Sequence, residues 1–193
     1  MNGYYYSVND YYKELFGHKV YKISLNAGNR DGRIGTGGCI FCSEGGSGDF
    51  ASSSLLSVKN QIDYGIEKIS KKYAGDSYIA YFQAFTNTYA PVDRLKKIFT
   101  EAIQDNRICG LSIATRPDCL EDDKIELLAE LNRIKPVWIE LGLQTINETT
   151  ARYIRRGYPL AVFEDAVARL NAVDIPVVVH VIVGLPGENA NDN

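Results

Sequence analysis

The sequence predicts an α/β protein, a partial (β/α)6, TIM-like barrel of parallel strands, and three observations carry that expectation. Five short runs rich in β-branched and aromatic residues recur along the 193 residues, each parted from the next by a segment of helical period. Alternation of strand and helix implies right-handed crossovers and hence a parallel sheet. The runs are also largely apolar, as strands are when both faces of a sheet are covered. The chain stops soon after the fifth run, so the expected barrel is truncated there. Residues 1–193 then read as one core domain, incomplete at its C-terminus, with residues 1–19 as an N-terminal extension. An open doubly wound sheet is the alternative.

The elements follow in order. "SVNDYYKELF" begins with Ser7 as helix cap and Asp10 three residues on, a capping-box pattern. "KVYKISLNAG" is the first strand, ended by Gly28. "SVKNQIDYGIEKISKKY" puts Val58, Ile62, Ile66 and Ile69 on one face of a helix capped by Ser57. "SYIAYFQAF" is the second strand, and "VDRLKKIFTEAI" the helix that Pro91 opens. "ICGLSIAT" is the third strand and "DDKIELLAELNRI" its helix. "VWIELGLQ" is the fourth, followed by two helical pieces broken at Gly157 and Pro159. "IPVVVHVIVGLPGE" is the fifth strand and its turn. The tyrosine-rich N-terminus is expected to pack over one end of the barrel.

Composition excludes several classes. With 45% hydrophobic and 23% charged residues and a net charge of −3, the chain has no electrostatic footprint for nucleic acid or an anionic membrane. No apolar run reaches the ~20 residues of a membrane span, and no signal-peptide pattern opens the sequence. Four cysteines, two of them close together, suit a cytoplasmic, reducing setting and metal or redox use better than a disulfide framework.

That close pair, Cys39 and Cys42, lies in "NRDGRIGTGGCIFCSEGGSGDF", where seven of 22 residues are glycine. A loop so costly to order is expected to need a ligand to hold it, or to stay unordered and metal-free. Zinc would require two further ligands, and Cys109 and Cys119 flank a strand instead of forming a second pair. A thioredoxin-like redox pair would open a helix, which Ser43, Glu44 and the glycines do not. Soft thiolates in a long loop also suit an iron–sulfur cluster.

Barrel chemistry gathers on the loops at the strands' C-terminal ends. There the sequence delivers the cysteine loop after strand one and Gln83, Thr86, Asn87 and Thr88 after strand two. Thr115, Arg116 and Asp118 follow strand three, and Gln144 and Thr145 end strand four. Glu140, flanked by Ile139 and Leu141, is a carboxylate inside an apolar strand; it faces a ligand or pairs with a basic residue. His180 is a core histidine or a contact residue. Arg155 and Arg156, near a helix end, also fit a role against the helix dipole.

The cysteine loop, with "YFQAFTNTYAP", "GLSIATRPDCL", "IELGLQT" and "VIVGLPGE" in this order, resembles the radical S-adenosylmethionine superfamily. Within it the chain is most similar to a bacterial branch related to the Elongator catalytic-subunit (Elp3-like) family. The resemblance implies a 4Fe-4S cluster and S-adenosylmethionine as cofactors, with Cys39 and Cys42 as two cluster ligands. It implies that Gln83, Ala84 and Asn87 meet the cofactor at the end of strand two, and that Glu140 and Gln144 line the cofactor and substrate space. Arg156 is implied as a partner for the methionine carboxylate, and Ile182 and Gly184 as part of the turn beside the adenine. An electron donor such as flavodoxin or ferredoxin would serve the cluster; the substrate stays open between tRNA, a small molecule and a protein.

The sequence departs from the family at one place. The first cluster cysteine belongs in a short Cys-Pro stretch between the positions of Gly28 and Asn29, and the sequence has none. Cys119, on the same rim, is the one substitute. A binding protein without a cluster and a zinc-binding structural module are the alternatives.

Overall fold

A computed structural model describes residues 5–29, 38–42, 53–71, 73, 75–83 and 85–188. Of the residues expected at the site, Ala84 and most of the cysteine loop (30–37 and 43–50) lie outside the described residues, and with them the expectation about the loop's order. The elements are α1 (Val8–Phe16), β1 (Tyr21–Leu25), α2 (Val58–Ser70), β2 (Tyr78–Phe82), α3 (Val92–Gln104) and β3 (Ile108–Thr115). After a short 3-10 turn over Pro117–Cys119 come α4 (Asp122–Asn132), β4 (Val137–Gln144), α5 (Glu148–Tyr153), α6 (Leu160–Asn171) and β5 (Val177–Val181).

The local signals act where the sequence places them. Ser7 and Asp10 close a reciprocal capping box at α1, and Gly17 ends that helix in the left-handed region at φ +74°. The Ser57 side chain accepts from Asn60 N at the start of α2. Five strands form one parallel sheet in the order β1-β2-β3-β4-β5, so each helix carries the chain to the next strand over. The fold is the partial TIM-like barrel that the alternation predicts.

The sheet's two faces differ. Tyr78, Ala80, Phe82, Leu111, Ile113, Val137 and Ile139 point outward and meet Ile62, Leu95, Phe99, Leu128 and Leu170 from the helices. Each such fully buried side chain contributes about 1.5–3 kcal/mol. Residues one step along each strand point the other way. On that inner face Ile79 and Trp138 join Tyr12 and Val20 in a second cluster, so α1 plugs the N-terminal end of the sheet's concavity. Trp138 Nε1 donates to Tyr11 Oη over 3.2 Å, and Tyr12 and Phe16 meet its ring edge-on.

Above this plug the inner face turns polar, with Lys22, Tyr81, Ser112, Glu140 and His180 contributed by β1 to β5 in turn. In a flat sheet β1 and β4 would lie about 14 Å apart. Lys22 Nζ nevertheless stands 2.5 Å from Glu140 Oε1. The sheet is therefore strongly curled, and that curl brings inner-face side chains of β1 and β4 together.

Candidate functional site

The rim is knitted together by backbone-directed polar side chains. Asn87, fully buried after β2, donates from Nδ2 to Phe82 O and Ala114 O, each at 2.9 Å, and its own carbonyl accepts from Asn29 Nδ2. Thr88 Oγ1 lies 2.5 Å from Thr115 Oγ1 and 2.6 Å from Cys119 O. These contacts clasp the end of β2 to the end of β3. Asn87 Oδ1 is buried without a partner, an uncompensated cost inside an otherwise satisfied clasp. Gln83 continues the β1–β2 ladder, its N–H donating to Leu25 O. Phe85 beside it is held at φ +59°, a rare state for an aromatic residue.

A second group assembles at the end of β4. Gln144 takes φ +65° at a register shift, and its carbonyl accepts from Ile182 N at 2.9 Å. Thr145 Oγ1 donates to Glu188 Oε1 at 2.5 Å, tying the β5 turn to β4 a second time. Gly184 and Gly187 shape that turn at φ +83° and +88°, where a side chain would be strained. Tyr158 donates to Gly142 O, and its ring lies between the guanidinium groups of Arg116 and Arg156, at 5.2 and 5.1 Å. Burial pushes the Tyr158 phenol well above its ordinary range.

The cysteine turn docks on this group. Cys42 N donates to Cys39 O at 3.0 Å, Ile40 N donates to Ile154 O, and Cys39 Sγ lies 3.7 Å from Arg155 O. Cys39 thus meets the segment after α5, whose Arg156 and Tyr158 bond to the end of β4 where Gln144 pairs with Ile182, while Gln83 and Asn87 stand at the end of β2, with β3 between.

Two of the residues that the resemblance singles out have protein partners of their own. Arg156 is 1% exposed, and its guanidinium donates to Tyr158 O, Leu143 O, Thr145 O and Glu148 Oε1. An arginine so committed braces the β4 rim. Glu140 lies in mid-strand below the rim, not at it. It accepts from Lys22 at 2.5 Å and from Ser112, and meets His180 Nε2 at 2.7 Å. Burial alone would raise this carboxyl, but His180, Lys22 and Ser112 outweigh it and hold Glu140 at about 2. The basic partner is thus a lysine on β1, and sequence reading missed it. A lysine alternating with Tyr21 and Ile23 within a strand was the available signal. Ser112 and Tyr158 were missed as well.

All four cysteines are described. Cys39 and Cys42 share one turn, closed by the bond from Cys42 N to Cys39 O. Cys119 is 7% exposed, and burial pushes its thiol up to about 11. Cys109 sits at the opposite end of the sheet, its Sγ against Tyr78 O. Among the described residues no third His, Cys, Asp or Glu joins the pair. A cubane with one open iron would need three thiolates, and beside Cys39 and Cys42 the described residues offer no third.

Comparison with known proteins extends the picture. A family model described as the Radical SAM superfamily matches residues 30–193. The uncharacterized protein YtqA of Bacillus subtilis is 44% identical over 189 residues, covering 96% of this chain and 59% of YtqA. The chain spans less than two thirds of the length of the curated relatives it matches. The archaeal Elp3 of Methanocaldococcus infernus, with an N-terminal deletion, superposes with a TM-score of 0.62 at 16% identity over 90% of this chain and 40% of Elp3. Escherichia coli coproporphyrinogen III oxidase (HemN), described as a radical SAM enzyme, gives 0.57 at 12% over 97% of this chain and 43% of HemN. Those two likenesses speak for the fold, and the match of family model and sequence relative speaks for descent. The chain belongs to the radical SAM superfamily.

Proposed function

We propose that this chain is the core of a radical S-adenosylmethionine enzyme whose cluster is held at the Cys39–Cys42 turn. One observation carries the reading: that turn docks through Ile40 N and Cys39 Sγ onto Ile154 O and Arg155 O, in the segment whose Arg156 and Tyr158 bond to the end of β4. When bound, a 4Fe-4S cluster supplies the electron that reductively splits S-adenosylmethionine and yields a 5′-deoxyadenosyl radical.

The chain's own residues prepare the place. Gln83, at the strand end that Asn87 clasps to β3, offers the cofactor a polar group; Gln144 with Ile182 offers backbone groups, and Gly184 a glycine turn. Arg156 and Tyr158 keep that wall in position. The plug of Tyr12, Phe16 and Trp138 closes the lower end, so substrate and cofactor enter from the rim and solvent is excluded from below. A flavodoxin- or ferredoxin-like donor would reduce the cluster, and the substrate is a tRNA, a small molecule or a protein.

Anaerobic reconstitution of the complete protein tests the reading, with iron, sulfide and 5′-deoxyadenosine as readouts. A companion protein carries a Cys-Pro stretch inserted between Gly28 and Asn29. Cluster and cofactor cleavage in the companion, both abolished by Cys39→Ala, are expected. A companion that holds zinc or no metal defeats the reading.

A further inference from the structure

The polar layer inside the curl is more than a brace. Glu140 is 3% exposed, whereas the His180 side chain bonded to it is 46% exposed. Four elements face this pair: Tyr12 from α1, Lys22 from β1, Tyr81 from β2 and Ser112 from β3. Lys22 lies 4.4 Å over the Tyr81 ring and 6.0 Å over that of Tyr12. An ionised carboxylate only accepts hydrogen bonds, so the 2.7 Å contact makes His180 Nε2 the donor. In the neutral imidazole Nδ1 then carries the lone pair, and no described residue partners it.

His180 pairs in register with Gly142, one step short of the Gln144 rim. The residue opposite the imidazole has no side chain, and the Gln144 amide fills the place where one would stand, 2.5 Å from an added Cβ. Glu140 holds the ring through its other nitrogen. The buried carboxylate is neutralised by Lys22, so it holds the ring without needing a charged substrate.

We propose that His180 is a substrate-contacting proton acceptor at the floor of the rim, with Glu140 as its positioning residue. The inference rests on the radical-enzyme reading for its substrate, which is a molecule bearing a polar O–H or N–H that reaches the floor from above. The proton of that group passes to Nδ1 and both bonding electrons stay on the substrate heteroatom. The imidazolium so formed is held against Glu140, as in carboxylate–histidine pairs where the carboxylate raises electron density on the far nitrogen.

The chain has two histidines, His18 and His180, and His18 is exposed, so each reports separately. Nitrogen-15 NMR of the histidine-labelled chain should show His180 as the Nε2–H tautomer; an Nδ1–H tautomer overturns the proposal without any variant. Diethyl pyrocarbonate, an electrophile for unprotonated imidazole nitrogen, is the second probe, read by peptide mass spectrometry. His180 should react at least as fast as His18. Glu140→Gln should slow His180 about fivefold, with His18 unchanged, by removing one charge-assisted hydrogen bond. Lys22→Met, which leaves Glu140 in place, should change the His180 rate by no more than about twofold. An unreactive His180, or one indifferent to Glu140→Gln in a protein with native circular dichroism, overturns the proposal. Formation of 5′-deoxyadenosine by the complete companion protein with the Cys-Pro insertion is measured alongside. Its failure with normal imidazole behaviour strikes the radical reading alone, and its success with the wrong tautomer strikes this inference alone.

Discussion

Replacing Glu140 by glutamine should remove both a charge and its acid-linked stability. The carboxyl is held at about 2 against an ordinary 4.5, despite burial, by His180, Lys22 and Ser112. At 1.36 kcal/mol per tenfold change this carries about 3 kcal/mol. A depressed carboxyl contributes stability that is fully present above 4.5 and lost as pH falls through about 2. Glu140→Gln should therefore cost about 3 kcal/mol at neutral pH, because Lys22 is also left without its counter-charge. For a chain of this length that lowers Tm by about 6–12 °C. Urea unfolding read by tryptophan fluorescence is the assay, since the single tryptophan, Trp138, sits two residues from Glu140 on the same face. The gap between wild type and variant should shrink to about half at pH 3. A gap under about 1 kcal/mol at neutral pH, or one that does not change with acidity, refutes the charge network as the cause.

Two further outcomes follow from burial. Thiol reagents should modify exposed Cys42 first and Cys109 and Cys119 last, since burial pushes both of the latter up to about 11; rapid labelling of Cys119 would return it to consideration as a cluster ligand. Arg156→Lys should destabilise by about 2–4 kcal/mol, because one ammonium cannot replace a planar fork that serves four acceptors, and S-adenosylmethionine affinity that collapses with stability unchanged would instead assign Arg156 to the cofactor.

The sequence alone determined the order of elements, the parallel sheet and the rim. These follow from local rules: Ser7 and Ser57 cap helices, Pro91 and Pro159 open them, and apolar runs alternate with helical periods. It also determined which residues gather near the strand ends, because a parallel barrel sends every strand's C-terminus to one side. Tertiary structure decided what those side chains do there. Arg156 became a brace because four acceptors from residues 143–158 surround it, an arrangement set by how the chain turns back after β4. Glu140 found its lysine 118 residues away, a pairing that exists only because the sheet curls until β1 faces β4. Strand patterns specify which face a residue takes and carry no information about curvature. The partner across the curl is therefore settled by packing in three dimensions.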